Sequence, residues 1–154
     1  MIMIKKRKIV LVDIDGTISK LGDRLKYLQL KKKDWDSFYN ACMEDEPVME
    51  VIELVNLLSK EYTVIFCTGR RESIRILTIK WLSKYFDSLT ISDQTLLMRR
   101  DGDKRHDTIV KPELLEMAGI DLKEIAFVLE DRNSMVSKWR ELGVKCFQVT
   151  DGDF

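Results

Sequence analysis

The stretch Ile9-Val10-Leu11-Val12-Asp13-Ile14-Asp15-Gly16-Thr17 constrains this chain more than any other. Four apolar residues run into two carboxylates two positions apart, then a glycine and a threonine. An apolar run bounded by such residues predicts a buried strand that ends in a tight turn. In an open parallel sheet the ligand crevice lies outside the carboxyl ends of the strands, so Asp13 and Asp15 are expected where such a fold places its chemistry. Asp and Gly also favour turns for backbone reasons alone, so this reading depends on matching pieces downstream.

Those pieces recur. Tyr62 to Cys67 reads as a second buried strand, ending at a turn made by Thr68-Gly69-Arg70. Ile125 to Leu129 reads as a third, stopping at Glu130-Asp131. Between them the apolar spacing turns helical: Val48, Val51, Ile52, Val55 and Leu58 after Pro47, then Glu72 to Tyr85. Leu89 to Ser92 and Thr95 to Met98 are expected as short strands. Pro112 is expected to start a helix over Glu113 to Met117, directly after Lys111. Asn133 is expected to cap a helix that carries Val136, Trp139 and Leu142 and closes at Gly143, before a last strand over Val144 to Val149. This alternation predicts an α/β doubly wound parallel sheet, one domain over 1–154.

The segment 19–46 does not read as sheet and is expected to be a small helical insert. Trp35, Phe38, Tyr39 and Cys42 fall on one helical face, with Asp34 as the cap. That stripe either packs on the main body or leaves an aromatic free to stack on a base or sugar. Lys31-Lys32-Lys33 beside it is either a solvated face or a contact for a phosphate backbone.

A length of 154 residues suits one domain with a real core. Lys plus Arg and Asp plus Glu are equal at 26 each, so no global field holds a polynucleotide or an anionic membrane, and any nucleic-acid contact must be local. Cys42, Cys67 and Cys146 are odd in number and widely spaced, which argues against a disulfide framework or a zinc knuckle and for buried thiols. The charges Lys5, Lys6, Arg7 and Lys8 precede too short an apolar run for a signal peptide or a membrane span, so a cytoplasmic protein is expected. The one histidine, His106, is too little for histidine catalysis or zinc and is expected in a loop near substrate.

If the strands are parallel, Asp13, Asp15, Thr68, Arg70, Lys111, Glu130 and Asp131 converge at one sheet edge. Two like charges about 4 Å apart repel by roughly 4 kcal/mol at an effective dielectric of 20, so four carboxylates need a cation, a lysine or protonation. Hard oxygen ligands select Mg²⁺.

Asp13-Ile14-Asp15-Gly16-Thr17, Thr68-Gly69-Arg70, Lys111 and Glu130-Asp131 resemble, in order and spacing, the four motifs of the haloacid dehalogenase superfamily of phosphohydrolases. The likeness spans Ile9 to Val149 and leaves only the insert unmatched. It implies a Mg²⁺-dependent phosphomonoesterase in which Asp13 is the nucleophile and forms an aspartyl phosphate. Asp15 would be the general acid and then the base, Thr68 would bond a phosphoryl oxygen, and Lys111 would neutralise it and hold Asp13. Gly16, Thr17 and Gly69 would adjoin the substrate. Mg²⁺ would sit on the Asp13 carboxylate, the Asp15 backbone carbonyl and either Glu130 or Asp131. An acid at Asp15 favours the phosphatase or phosphomutase branch.

The second half, including Asp103 to Lys111, Glu130-Asp131-Arg132, Trp139 to Val149 and the terminal Gly152-Asp153-Phe154, is similar to the 3'-phosphatase domain of phage polynucleotide kinase/phosphatase. That likeness adds Arg70 and Asp107 to the site, Asp107 either orienting Lys111 or Arg70 or capping the helix. It also makes Arg99, Arg100, Lys104 or Arg105 candidates for steering a strand. Glu130 departs from the aspartate of that domain, and the insert differs. No Gly-x-x-x-x-Gly-Lys-[Ser/Thr] sequence occurs, so 5'-phosphorylation from ATP is not expected. The expected activity is hydrolysis of a 3'-phosphate at a nucleic-acid end. A nucleotidase acting on mononucleotides and a non-catalytic module binding Mg²⁺ and a phosphorylated ligand are the alternatives, and the oligomeric state is open.

Overall fold

The structure, a computed structural model, describes residues 7–153. Lys5, Lys6 and Phe154 lie outside the described residues. Five parallel strands form one sheet: β1 (Ile9–Val12), β2 (Thr63–Arg71), β3 (Leu96–Arg99), β4 (Ile125–Glu130) and β5 (Cys146–Gln148), in the order β3-β2-β1-β4-β5. The chain builds outward from β1 through β2 to β3, then crosses back to add β4 and β5 on the other side. The strand order therefore reverses beside β1, and the crevice of a doubly wound sheet opens at that reversal, just past Val12.

The period-two pattern of the strands sorts two cores. Val10, Val12, Val64, Phe66, Leu96 and Met98 join Ile52 and Val55 of α2 (Met49–Leu58) and Trp81 and Leu82 of α3 (Arg75–Tyr85) on one face. Ile9, Leu11, Ile65, Cys67 and Val128 join Val110, Leu114 and Leu115 of α4 (Asp107–Met117) and Met135, Val136 and Trp139 of α5 (Asn133–Glu141) on the other. All four β1 residues are buried, as a central strand covered on both sides requires.

The insert leaves and re-enters the body at one point. Lys20 N donates to Glu46 O at 2.8 Å, and Val48 N donates to Ile18 O at 2.8 Å. Between these stems lie a 3₁₀ turn over Gly22–Leu28, α1 (Trp35–Asn40) and a second 3₁₀ turn over Ala41–Glu44. Asp34 caps α1 as expected, accepting from Ser37 N at 3.0 Å.

Several expectations are corrected. Leu89 to Ser92 is not a strand, and β5 is shorter than Val144 to Val149. Thr68-Gly69-Arg70 is not a turn; β2 runs through it to Arg71, with its register on β3 shifting between Thr68 and Arg71. Helix α4 begins at Asp107, so Pro112 lies inside it. The first turn is capped by the His106 ring, whose Nδ1 accepts from Thr108 N, an uncommon cap that the usual Ser, Thr, Asp or Asn signal does not announce. Asp107 is the first helical residue rather than the cap. Asn133 opens α5 without capping it; its Oδ1 accepts from Gln148 Nε2 instead. The three cysteines are buried and unpaired. No helix among the described residues is long and apolar enough to cross a membrane.

Candidate active site

Asp13 stands one residue past β1, its backbone N–H donating to Leu129 O of β4 at 3.0 Å. Its carboxylate is buried and doubly held. Oδ1 accepts from Lys111 Nζ at 2.6 Å, and Oδ2 accepts from Thr17 Oγ1 at 3.0 Å. Lys111, carried inward by α4, also donates to Glu130 Oε2 at 2.8 Å, and Thr17 reaches Asp131 Oδ1 at 3.1 Å. The first motif can close so tightly only because Gly16 is a glycine. Its φ is +88°, a left-handed value, and a Cβ there would lie 2.1 Å from Asp131 Oδ2.

Asp13, Glu130 and Asp131 each bring a carboxylate oxygen within 4.8 Å of the others. One ammonium faces these three carboxylates, so the cluster carries an excess of two negative charges when all are ionised. Burial, then the charge of Glu130, push Asp13 up to about 7, although Lys111 pulls the other way. Burial and the charge of Asp13 push Asp131 up to about 7 as well. Burial opposes the charge on Lys111, but Asp13 and Glu130 outweigh it and hold the ammonium well above the ordinary lysine range. A buried set of hard oxygen donors short of two positive charges fits one divalent cation.

Asp15, two residues on, has the opposite surroundings. Arg70 forks onto it, Nη2 to Oδ1 at 2.7 Å and Nε to Oδ2 at 3.1 Å, and Arg24 Nη2 donates to Oδ1 at 2.6 Å. Arg24 also clasps Asp45 through Nε and Nη2, both at 2.6 Å, while Arg70 Nη2 reaches Asp45 Oδ2 at 3.3 Å. Two carboxylates thus meet two guanidiniums. Burial would raise the Asp15 pKa, but Arg70 and Arg24 override it and hold the carboxyl well below the usual range. Burial raises that of Asp45 in spite of its arginines. The Asp15 side chain stands outside the three-carboxylate cluster.

Thr68 is buried at the level of Asp13, its Oγ1 accepting from Arg70 N at 3.1 Å. Gly69 follows under Asp107, whose Oδ1 would lie 2.7 Å from a Cβ on that glycine. The Asp107 carboxylate is taken by Arg99 and by Arg132 Nη1, the latter at 3.1 Å, rather than bonding Lys111 or Arg70. Arg99 is buried, and its guanidinium is engaged within the protein. It donates to Gly69 O at 3.0 Å, Asp103 O at 3.1 Å, Arg105 O at 2.7 Å and Asp107, so its guanidinium fixes the loop before α4 onto β2. Arg105 is half-exposed and engaged with Asp103 and Glu113.

The structure therefore brings together Asp13, Asp15, Gly16, Thr17, Thr68, Gly69, Arg70, Asp107, Lys111, Glu130 and Asp131. Sequence reasoning missed Arg24 and Asp45. Both lie in a charge-rich insert where most ionic side chains are solvated, and no local pattern marks these two as buried. A cavity of about 530 Å³ opens above the carboxylates. The insert lines it with Leu21, Leu25, Leu28, Trp35, Phe38 and Tyr39, and the loop before α4 with Asp103 to Asp107.

The sequence profile of the family described as polynucleotide kinase PNKP phosphatase domain matches residues 7–154. A solved RNA repair complex of Pnkp1, Rnl and Hen1 contains a chain 32% identical, superposing with a TM-score of 0.80 over 99% of this chain and 45% of that one. A protein of Autographa californica nuclear polyhedrosis virus that bears the name of a bifunctional polynucleotide kinase/RNA ligase is 28% identical over 137 residues, 88% of this chain and 18% of its own length. The chain thus spans less than half the length of these relatives. A haloacid dehalogenase family enzyme of Bacteroides thetaiotaomicron, solved with magnesium and inorganic phosphate, shares the fold at 17% identity and a TM-score of 0.58, covering 96% of each chain.

Proposed function

This chain belongs to the polynucleotide kinase PNKP phosphatase domain family, and from that premise we propose that it hydrolyses the 3'-phosphate at a nucleic-acid end in a Mg²⁺-dependent reaction. The observation that carries the reading is the pairing of two unlike carboxylates at the reversal of strand order. Asp13 sits in a cluster short of two positive charges, and Asp15 in a neutral quartet with Arg24, Arg70 and Asp45.

Asp13 attacks phosphorus and the ester P–O bond breaks, leaving an aspartyl phosphate and an alkoxide that takes a proton. Water then attacks the same phosphorus, releases phosphate and restores Asp13. Lys111 and Thr17 hold the Asp13 oxygens in line throughout. Thr68 Oγ supplies a hydroxyl to a phosphoryl oxygen. Asp15 serves as acid and then base. Its arginines keep it ionised in the free protein, and a phosphate dianion entering the cavity that Asp15 lines disfavours its negative charge and raises its proton affinity. Asp13, Glu130 and Asp131 would hold Mg²⁺, which would supply the positive charge that offsets the carboxylates and the phosphoryl oxygens.

The zero formal net charge favours a second reading, a nucleotidase acting on single nucleotides, since a long strand selects a basic surface. Phosphate release in Mg²⁺ from a 3'-phosphorylated oligonucleotide, its 5'-phosphate isomer and free 3'- and 5'-mononucleotides separates the two. We expect the 3'-phosphorylated strand to be preferred and Asp13→Asn to abolish turnover while the protein stays folded. Preference for mononucleotides would establish the nucleotidase. Turnover by Asp13→Asn, once contaminating phosphatase is excluded, would overturn the mechanism, and no release from any of these substrates would move the weight to another phosphoester or to a binding module.

A further inference from the structure

We propose that the insert provides a stacking subsite for the nucleobase of the nucleotide whose phosphate is removed, with Trp35 and Tyr39 as its aromatic surface and Leu25 as its apolar flank. This deepens the reading above and rests on it. The helical stripe of the insert divides in two. Cys42 packs into the core and Phe38 is buried against Arg24 at the cavity wall, whereas Trp35 is 38% exposed, Leu25 is 42% exposed and Tyr39 is half-buried. Those three line the same cavity as Asp13 and Lys111. Trp35 and Tyr39 lie in a stacked arrangement, ring centroids 6.0 Å apart and planes 25° from parallel, and the Arg71 guanidinium rests 5.0 Å from the Tyr39 centroid. Tyr39 packs against the core below it and Trp35 stacks on Tyr39, so the aromatic pair is held in place at the cavity wall.

The chemistry of the surface selects the ligand. Phosphate needs the polar floor and gains nothing from an apolar wall, so the group that meets the wall must be a flat, weakly polar part of the same molecule. A base joined to its sugar phosphate is such a group, and the cavity, at about 530 Å³, falls within the roughly 300–1,000 Å³ of a small-molecule site, enough for one nucleotide. Stacking tolerates every base because every base has a π-face.

The test pairs kinetics with fluorescence. Wild-type kcat/KM for 3'-phosphorylated oligonucleotides ending in each of the four bases should agree within a few-fold, and an abasic terminal nucleotide should lose about tenfold or more, mainly through KM. Trp35→Ala should collapse that preference for a base over an abasic end. Free 3'-mononucleotides run alongside show whether the base must belong to a strand. Trp81 and Trp139 are fully buried, so Trp35 is the exposed fluorophore. Titrating a 3'-mononucleotide into Asp13→Asn in Mg²⁺ should quench it, and ribose 3-phosphate or the Trp35→Phe background should not. Equal handling of base-bearing and abasic ends, or hydrolysis of a nucleotide that never perturbs Trp35, would overturn the subsite. Quenching without hydrolysis by the wild type would keep the subsite and sink the phosphatase reading instead.

Discussion

At the scale of single residues, Asp13 and Asp15 show how position alone divides two carboxyls of one type. Burial and the charge of Glu130 raise the first, and two guanidiniums depress the second. The raised pair has a consequence for stability. A carboxyl whose folded pKa exceeds its unfolded value holds its proton more tightly when folded, so it supports the fold at low pH and withdraws that support as pH rises from 3.8 toward about 7. Chelator-treated protein should therefore lose thermal stability between about pH 5 and about pH 7.5, and Mg²⁺ should raise the unfolding midpoint more at the higher pH. A metal-independent midpoint across that range would refute the assignment of the cluster to a cation. Asp15 makes no contribution to this window. Its depressed value places its loss of stabilisation in strong acid, below the unfolded value of 3.8.

At the scale of elements, the site depends on three segments meeting at strand ends, and Arg99 is the clamp between two of them. It ends β3, yet its donors lie on the β2 carbonyl at Gly69, on two loop carbonyls and on Asp107, the first residue of α4. Removing it strips a partner from three carbonyls and leaves the Asp107 carboxylate with Arg132 alone, and α4 carries Lys111 to Asp13. Arg99→Ala should lower both the unfolding midpoint and kcat at saturating 3'-phosphorylated oligonucleotide. Arg99→Lys should not rescue it, because one ammonium cannot replace a planar fork. If Arg99 instead steers the strand, as its place in a basic loop suggests, its loss would change only KM and salt dependence. The helix start carries a similar lesson. Pro112 is a strong local signal for a first turn, but the His106 ring supplies a cap one turn and a half earlier, and the helix extends back to it.

At the scale of the whole molecule, the insert is fastened to the body by Asp45. This buried carboxylate takes Arg24 from the insert and Arg70 from β2, and its backbone oxygen accepts from Trp81 Nε1 of α3 at 3.0 Å. Asp45→Ala leaves two buried guanidiniums facing the single carboxylate of Asp15. Removing one partner from such a set costs about 3–5 kcal/mol. Urea unfolding should register that loss, and the variant should also lose selectivity for base-bearing substrates as the insert shifts. A surface-like change of a few tenths would show that the quartet adds nothing to folding.

The sequence by itself determined the α/β class, the three buried strands that end in polar groups, and the residue types gathered at their ends. Those features are local. A strand and its terminal acids are neighbours in the chain, and Asp13 to Thr17 fixes its own turn through Gly16. It also marked the insert, but not what the insert does. Only the tertiary structure decided that Arg24 and Asp45 are buried with Asp15, that Arg99 binds backbone rather than solvent, that β2 runs on to Arg71, and that Trp35 lines the cavity while staying partly exposed. A charged side chain among charged neighbours looks the same on paper whether it is solvated or buried. The difference lies in partners distant in the chain, 55 residues for Arg70 on Asp15 and 98 for Lys111 on Asp13, and the fold alone brings those together.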